Sequence, residues 1–451
     1  MEVRLLGVND FHGHLEPSEV EERMAGGAEY LGAHLDRSAS ERPAATIRVH
    51  AGDMVGASPY LSSHFHDEPT MKALNLMRFD VGTVGNHEFD EGGEEMLRLI
   101  GGGWRGDARS DPAYAGADFP YIAANTVDAQ TGDRVLPPYK VVERQGAKVG
   151  FIGVTTTSTP IFLLRRFAKD YRYLDLSDTV NTYVSELQRQ GVQAIVVLAH
   201  AGAFEAGGTS EQASGEIVDE ARQMSSAVDV VVAGHTHSHL NTRVGSKLVV
   251  EAWSYGTAFD EVDMTIDRAS GHVVEKSART PRTWVDEVRP EPRLRELVDS
   301  HRRRAAPLGD QVDGRARTTL ENEPEGLGRI VAEGQRRYAG ADCALVNRGS
   351  IRDKLPAGPV TYADLHQVHA YEHRLVRTDV SGADLLGYLE RNLYTACPAQ
   401  IDAGRTYTVV ANELVVGAKG FDALRRGGRR ATLGTDLQAL RREIRRRGVV
   451  G

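Results

Sequence analysis

The run Val3-Arg4-Leu5-Leu6-Gly7-Val8-Asn9-Asp10-Phe11-His12 decides how the first half of this 451-residue chain is read. An apolar stretch, residues 3–8, stops abruptly at a carboxylate and an imidazole two positions apart. Apolar runs of this length bounded by turn residues suit strands buried on both faces. The pattern recurs. Residues 46–49 lead to Gly52-Asp53, 81–84 to Gly85-Asn86-His87, 194–199 to His200, and 228–233 to Gly234-His235. Stretches with helical spacing lie between them, residues 177–190 among them. Strand–helix alternation implies a layered α/β domain. In such sheets, sites form just beyond the carboxyl ends of the strands.

Around this frame, residues 139–154 and 260–276 read as hairpins, turning at Gln145-Gly146 and Ser270-Gly271. Residues 101–118 read as a surface insertion. Composition shifts near residue 285. Residues 290–306 are charged and helix-compatible, ending at Pro307, and a second α/β segment follows with strands near 343–346, 373–380 and 407–410. The boundaries drawn are 1–285, a linker helix over 286–308, and 309–451. The arginine-rich tail from Leu424 reads as a solvated helical face.

The net charge of −9 argues against a nucleic-acid polymer as partner. No apolar run approaches the roughly 20 residues that span a bilayer, so no membrane partner is expected. The two cysteines, Cys343 and Cys397, exclude a disulfide framework and argue against an isolated bridge. The first strand begins at Val3 and the first motif at Asp10, which leaves no room for a signal peptide. A cytoplasmic protein is therefore expected if Met1 is native, and a periplasmic or secreted one only if a leader has been removed.

The residues after each strand form a ligand set. Asp10 and His12, two apart, are both able to point one way if the segment is extended. Asp53 follows a glycine that permits a tight turn. Asn86 adds an amide oxygen, His200 an imidazole, and His235 and His237 a second i, i+2 pair. Nitrogen and oxygen donors without thiolate suit Mn, Zn, Fe or Co better than a structural zinc. The set is too large for one ion and about right for two, with Asp53 as the bridging carboxylate. Two cations roughly 3.5–4 Å apart acidify a shared water and clamp phosphoryl oxygens during in-line attack. His14, His34, His50, His64, His66, His239, His272 and His301 read as structural. His366, His369 and His373 read as a loop or pocket wall.

These motifs resemble the calcineurin-like metallophosphoesterases. More closely, the chain resembles the bacterial 5′-nucleotidase family, which includes UDP-sugar hydrolases and 2′,3′-cyclic phosphodiesterases. The resemblance rests on Asn9-Asp10-Phe11-His12-Gly13-His14, Ala51-Gly52-Asp53, Gly85-Asn86-His87-Glu88-Phe89-Asp90, His200-Ala201-Gly202 and Gly234-His235-Thr236-His237. It implies a four-layer α/β/β/α metallophosphoesterase domain followed by a smaller α/β 5′-nucleotidase C-terminal domain. It implies one divalent metal on Asp10, His12, Asp53 and His237, and another on Asp53, Asn86, His200 and His235. His87 is similar to the family's catalytic histidine, oriented by the acid matching Asp90, although Asp90 also reads as a helix N-cap.

The second domain follows the family less closely. Arg352, closing Asn347-Arg348-Gly349-Ser350-Ile351-Arg352, is retained, and Tyr371 corresponds to the first stacking aromatic of the nucleoside pocket. Leu414 stands where a second aromatic is expected and Lys419 where the family has aspartate. The implied substrate contacts are Asn86, Arg352, Tyr371, Leu414 and Lys419. The function expected is hydrolysis of a small phosphate monoester, a nucleoside 5′-monophosphate, modified nucleotide or biosynthetic intermediate. The alternatives are a phosphodiesterase or pyrophosphatase on cyclic nucleotides or nucleotide sugars, and an inactive binding protein on the same scaffold. Loss of a metal ligand would mark the last, and all seven positions carry competent residues.

Overall fold

Two six-stranded sheets grow from the apolar runs. The computed structural model describes residues 1–205 and 213–451. The first sheet has the order Val273–Arg279, Asp260–Ile266, Glu2–Val8, Thr46–His50, Val81–Thr83, Tyr121–Ile122. The second has the order His239–Val244, Lys247–Ala252, Val230–Val232, Ala194–His200, Ala147–Thr155, Tyr139–Arg144. Strands that follow a helix pair in parallel, and the hairpin strands add antiparallel edges.

Alternation along each strand decides what each face meets. Val3, Leu5, Ile47, Val49 and Val81 point inward and share one core with Val149, Phe151, Val196, Leu198 and Val232 of the second sheet. Burying each such side chain contributes about 1.5–3 kcal/mol. On the outer face of the first sheet, Arg4 and Arg48 reach Ser38 and Asp36 of the helix Ala28–Glu41. On the outer face of the second, the helix Leu176–Arg189 lays down Val180, Tyr183 and Leu187. Asp175 starts that helix by accepting from the Asp178 amide at 2.8 Å. The layers are helix, sheet, sheet, helix, as expected.

Parallel register brings the strand ends level. Val8 pairs with His50 and His50 with Gly82 in one sheet, while Leu198 pairs with Val232 in the other. The loops that begin at Asn9, Ala51, Val84, Ala201 and Ala233 therefore leave from corresponding strand ends.

The chain divides into two units, Met1–Gly56 with Ser62–His301, and Ala57–Leu61 with Arg302–Gly451. The helix Pro292–Gly309 spans the division. The second unit holds a five-stranded sheet in the order Leu393–Ala396, Cys343–Asn347, Thr406–Asn412, Arg374–Ser381, Ala431–Thr435. A small sheet, Gly358–Thr361, Val312–Ala316 and Val449–Val450, completes it.

Three expectations are corrected here. Cys343 and Cys397 form a disulfide. Ala344 pairs with Ala396 across adjacent antiparallel strands, so register sets the two thiols opposite one another. The linker helix does not stop at Pro307 but continues to Gly309. The arginine-rich tail is not simply solvated. Its helix Asp436–Arg447 buries Leu437, Leu440 and Ile444, and Arg441 and Arg445 both bind the buried Asp313 carboxylate at 2.6 Å. Val449–Val450 then pairs in parallel with Val312–Ala316.

Two outcomes follow for stability. Asp260 is fully buried, and burial pushes its carboxyl up to about 8, against the opposing effect of a hydrogen bond from Thr280. The folded state therefore holds a proton that the unfolded chain releases above about pH 4. That contribution is complete in acid and is lost progressively as pH rises from about 4 to about 8. Asp260→Asn should lose less melting temperature than the native chain between pH 5 and pH 9, and parallel profiles by scanning fluorimetry would contradict this. The disulfide closes a loop of 54 residues. Its reduction should cost about 2–4 kcal/mol in urea unfolding, read on the second unit.

Candidate metal centre

Five of the seven expected ligands sit in left-handed backbone: Asp10 at φ 49°, His12 at 47°, Asp53 at 51°, His235 at 82° and His237 at 55°. Non-glycine residues enter this region rarely and at a cost of about 1–3 kcal/mol each. The turns fold each loop back so that its side chains converge. Gly52, at φ 86°, and Gly85 let two loops meet at backbone distance. A Cβ on Gly85 would collide with Asp53 Oδ1 and the His200 ring.

The side chains fall into overlapping groups, Asp10–His12–His237, His12–Asp53–His87 and Asp53–His200–His235. Asp53 joins the second and third. Its Oδ2 lies 3.0 Å from His200 Nε2 and 3.7 Å from His12 Nε2. His237 Nε2 lies 3.3 Å from Asp10 Oδ1 and 3.2 Å from His12 Nε2. Asn86 Oδ1 lies 3.1 Å from His200 Nε2. All seven expected ligands thus stand at the strand ends described above.

Partners on the far side of two rings fix their tautomers. His12 Nδ1 donates to the Gly56 carbonyl at 2.8 Å and His200 Nδ1 to the Ala51 carbonyl at 2.9 Å. A carbonyl only accepts, so each Nδ1 carries a proton, and each ring when neutral turns an Nε2 lone pair inward. Those lone pairs face carboxylate and amide oxygens that are also acceptors. The donor set therefore calls for positive charge at its centre, and a divalent cation fits it. The titration of the bare groups agrees. Burial alone would lower His200, but the Asp53 carboxylate overrides it and raises the ring to about 10. Burial would raise Asp10, yet His237 holds it down to about 2. His235 is lowered to about 4 by burial and then by the His200 charge.

His87 and Asp90 form a separate pair beside the cluster. His87 Nδ1 donates to Asp90 Oδ2 at 2.9 Å, and the His87 amide donates to Asp53 Oδ1 at 2.8 Å. Asp90 is not the N-cap of the following helix, because Gly92 holds that position. The Phe162 ring, 42% exposed, meets His235 edge-on at 5.2 Å.

The site also has supporting residues that sequence reasoning passes over. Asn9 Nδ2 donates to Asp10 Oδ2 at 2.8 Å. Buried Glu251 accepts from Thr236 Oγ1 at 2.9 Å and the Ser238 amide at 3.2 Å, bracing the loop that carries His235 and His237. Glu88, pushed up to about 7 by burial and then by Asp53, lies under the Asp53 loop. Glu88 stands inside one of the strand-end motifs, which is the signal that could have found it. Glu251 has none.

In the second unit, Arg352 stands over the Tyr371 ring at 5.7 Å, and Tyr371 lies parallel to His373 with centroids 5.1 Å apart. His373 was not among the expected contacts. Leu414 is half-buried in the short helix Glu413–Gly417, and Lys419 is exposed just beyond it. His366, His369 and His373 do not share a helical face, since the helix ends at Val368.

Known proteins resemble this chain in sequence and in fold. The family model for calcineurin-like phosphoesterases matches residues 3–239, and that for the 5′-nucleotidase C-terminal domain matches residues 305–400. An endonuclease of Bacillus subtilis (strain 168) is 34% identical over 420 residues, 90% of this chain and 34% of that protein. A cell wall protein of Listeria monocytogenes serovar 1/2a is 34% identical over 436 residues, 86% of this chain and 56% of that protein. The chain thus spans about a third and about half of these relatives' lengths. The 5′-nucleotidase precursor from Thermus thermophilus shares the fold, with a TM-score of 0.81 at 24% identity over 100% of this chain and 97% of that one.

The expected cytoplasmic location is corrected by these relatives, one of which is a cell wall protein. The disulfide agrees, since such bonds persist in oxidising compartments. The family uses divalent metals, and the clusters of aspartate and histidine described above can bind them. The chain belongs to the calcineurin-like phosphoesterase family and carries a 5′-nucleotidase C-terminal domain.

Proposed function

We propose that this protein hydrolyses phosphate monoesters of nucleotide-like small molecules outside the cytoplasm, releasing inorganic phosphate. The observation that carries the reading is Asp53, whose Oδ2 lies 3.0 Å from His200 Nε2 and 3.7 Å from His12 Nε2, between the ring that belongs with His235 and the ring that belongs with Asp10 and His237. Asp10, His12, Asp53 and His237 would hold one divalent metal, and Asp53, Asn86, His200 and His235 the other, as the family resemblance implies. When bound, the two cations supply Lewis acidity to the attacking water and to the phosphoryl oxygens. Asp90 keeps the His87 Nδ1 proton in place, so that Nε2 is directed at the substrate. There the imidazolium form of His87, its charge balanced by Asp90, donates from Nε2 to an equatorial phosphoryl oxygen and stabilises the charge that develops on it. The family resemblance assigns Arg352 and Tyr371 to the rest of the substrate.

A second reading, phosphodiester cleavage, is favoured by the endonuclease among the relatives and by the rim beside His235. Ile161, Phe162, Arg165 and Arg166 are exposed there, an apolar and cationic ledge for the second half of a diester. Leu414 and Lys419, in place of an aromatic and an aspartate, also weaken the case for a plain nucleoside slot.

Assay of a panel with Mn²⁺ separates the readings: nucleoside 5′-monophosphates, 2′,3′-cyclic nucleotides, nucleotide sugars and short single-stranded DNA. The proposal expects inorganic phosphate from the monophosphates. Cleavage of diesters with no phosphate released from any monoester would replace it with the second reading.

Two variants test the roles. Asp53→Asn should drop metal content from two ions per chain to fewer than one by elemental analysis. His87→Asn should keep both ions and lose about 10²–10³-fold in kcat. A fully loaded Asp53→Asn protein would remove the bridge from the reading.

A further inference from the structure

Glu88 lies between the two loops that carry Asp53 and Asn86, and its carboxylate gathers donors from both. Oε2 accepts from the Gly85 amide at 2.6 Å and the Asp53 amide at 3.0 Å, and Oε1 accepts from the Met54 amide at 2.8 Å. These amides lie past the end of the sheet, where Val49 pairs with Val81 and His50 with Gly82. They have left the ladder, yet buried N–H groups still need an acceptor. The left-handed turn at Gly52 and Asp53 aims two successive amides the same way, which makes a concave anion-binding nest.

The contact is reciprocal. Asp53 Oδ1 accepts from the His87 amide at 2.8 Å, so each loop lends a carboxylate to the backbone of the other. Asn86 sits between the two amides clamped in this way, those of Gly85 and His87. With Glu88 engaged, Asp53 Oδ2 and Asn86 Oδ1 are both held at the same His200 Nε2, at 3.0 and 3.1 Å.

We propose that Glu88 is a positioning residue that fixes the separation of the Asp53 and Asn86 loops and thereby sets the metal affinity of the centre. It acts through the backbone of both loops and is not itself a ligand. The inference rests on the metal reading given above, and the experiment distinguishes the two.

Glu88→Gln is isosteric but turns one acceptor oxygen into an NH₂ donor, which must face an amide donor. Mn²⁺ titration by calorimetry should show wild type binding two ions and Glu88→Gln binding with about 10–100-fold weaker affinity, the scale seen when a group supporting a ligand is lost. The KM of the substrate should stay near the native value at saturating Mn²⁺. A merely structural role would lower the melting temperature and leave the Mn²⁺ affinity unchanged, and that result overturns the inference. A wild-type protein that binds no Mn²⁺ overturns the metal reading instead. Hydrogen exchange on metal-free wild type needs no variant. The amides of Asp53, Met54 and Gly85 should be as protected as the adjoining strands, and rapid exchange there would also sink the proposal.

Discussion

Acceptors facing acceptors in a buried space set the terms for the first unit. Lone pairs on His12 and His200 turn toward carboxylates because backbone carbonyls hold the opposite ring nitrogens. The Asp53 carboxylate holds the His200 ring above its ordinary range, and His237 holds Asp10 below its own. A divalent cation satisfies more of these acceptors at once than a proton does, and it needs no donor direction. The chemistry of the family follows from that demand for charge, since a phosphoryl group brings to the site the negative oxygens that two cations favour.

Geometry supplies the convergence. Parallel strands end level, so loops from two sheets meet over one patch, and left-handed turns send their side chains back toward it. Strained backbone persists only where its surroundings over-determine it. Here they do. Asn9 braces Asp10, Glu251 braces the loop of His235 and His237, and Glu88 clamps the Asp53 and Asn86 loops.

Much of this unit is legible in the sequence because its signals are local. An apolar run, a glycine and then a ligand is a strand, a turn and a site within a few residues. Features that arise from strands or helices meeting across long sequence distances are not legible. The Cys343–Cys397 bond depends on which strand lies beside which, and composition alone argues the wrong way. Arg441 looks like solvated charge until Asp313, 128 residues away, is placed under its helix. Glu251 lies inside a strand and carries no motif at all. Asp90 is ambiguous in sequence, and its contact with His87 together with the cap at Gly92 resolves its position.

The two units differ in how far they constrain function. In the first, electrostatics narrows the chemistry to a charged oxyanion at a metal pair, whatever ester bears it. In the second, Tyr371 has the Arg352 guanidinium over its ring and the His373 imidazole parallel to it. A tyrosine so flanked is less a bare slot for a flat base than a polar platform. Leucine at 414 has no ring to stack, and the exposed lysine at 419 has no hydrogen-bond acceptor to offer. The second unit thus offers a ring flanked by polar groups, where the first offers converging carboxylates and imidazoles that call for a cation.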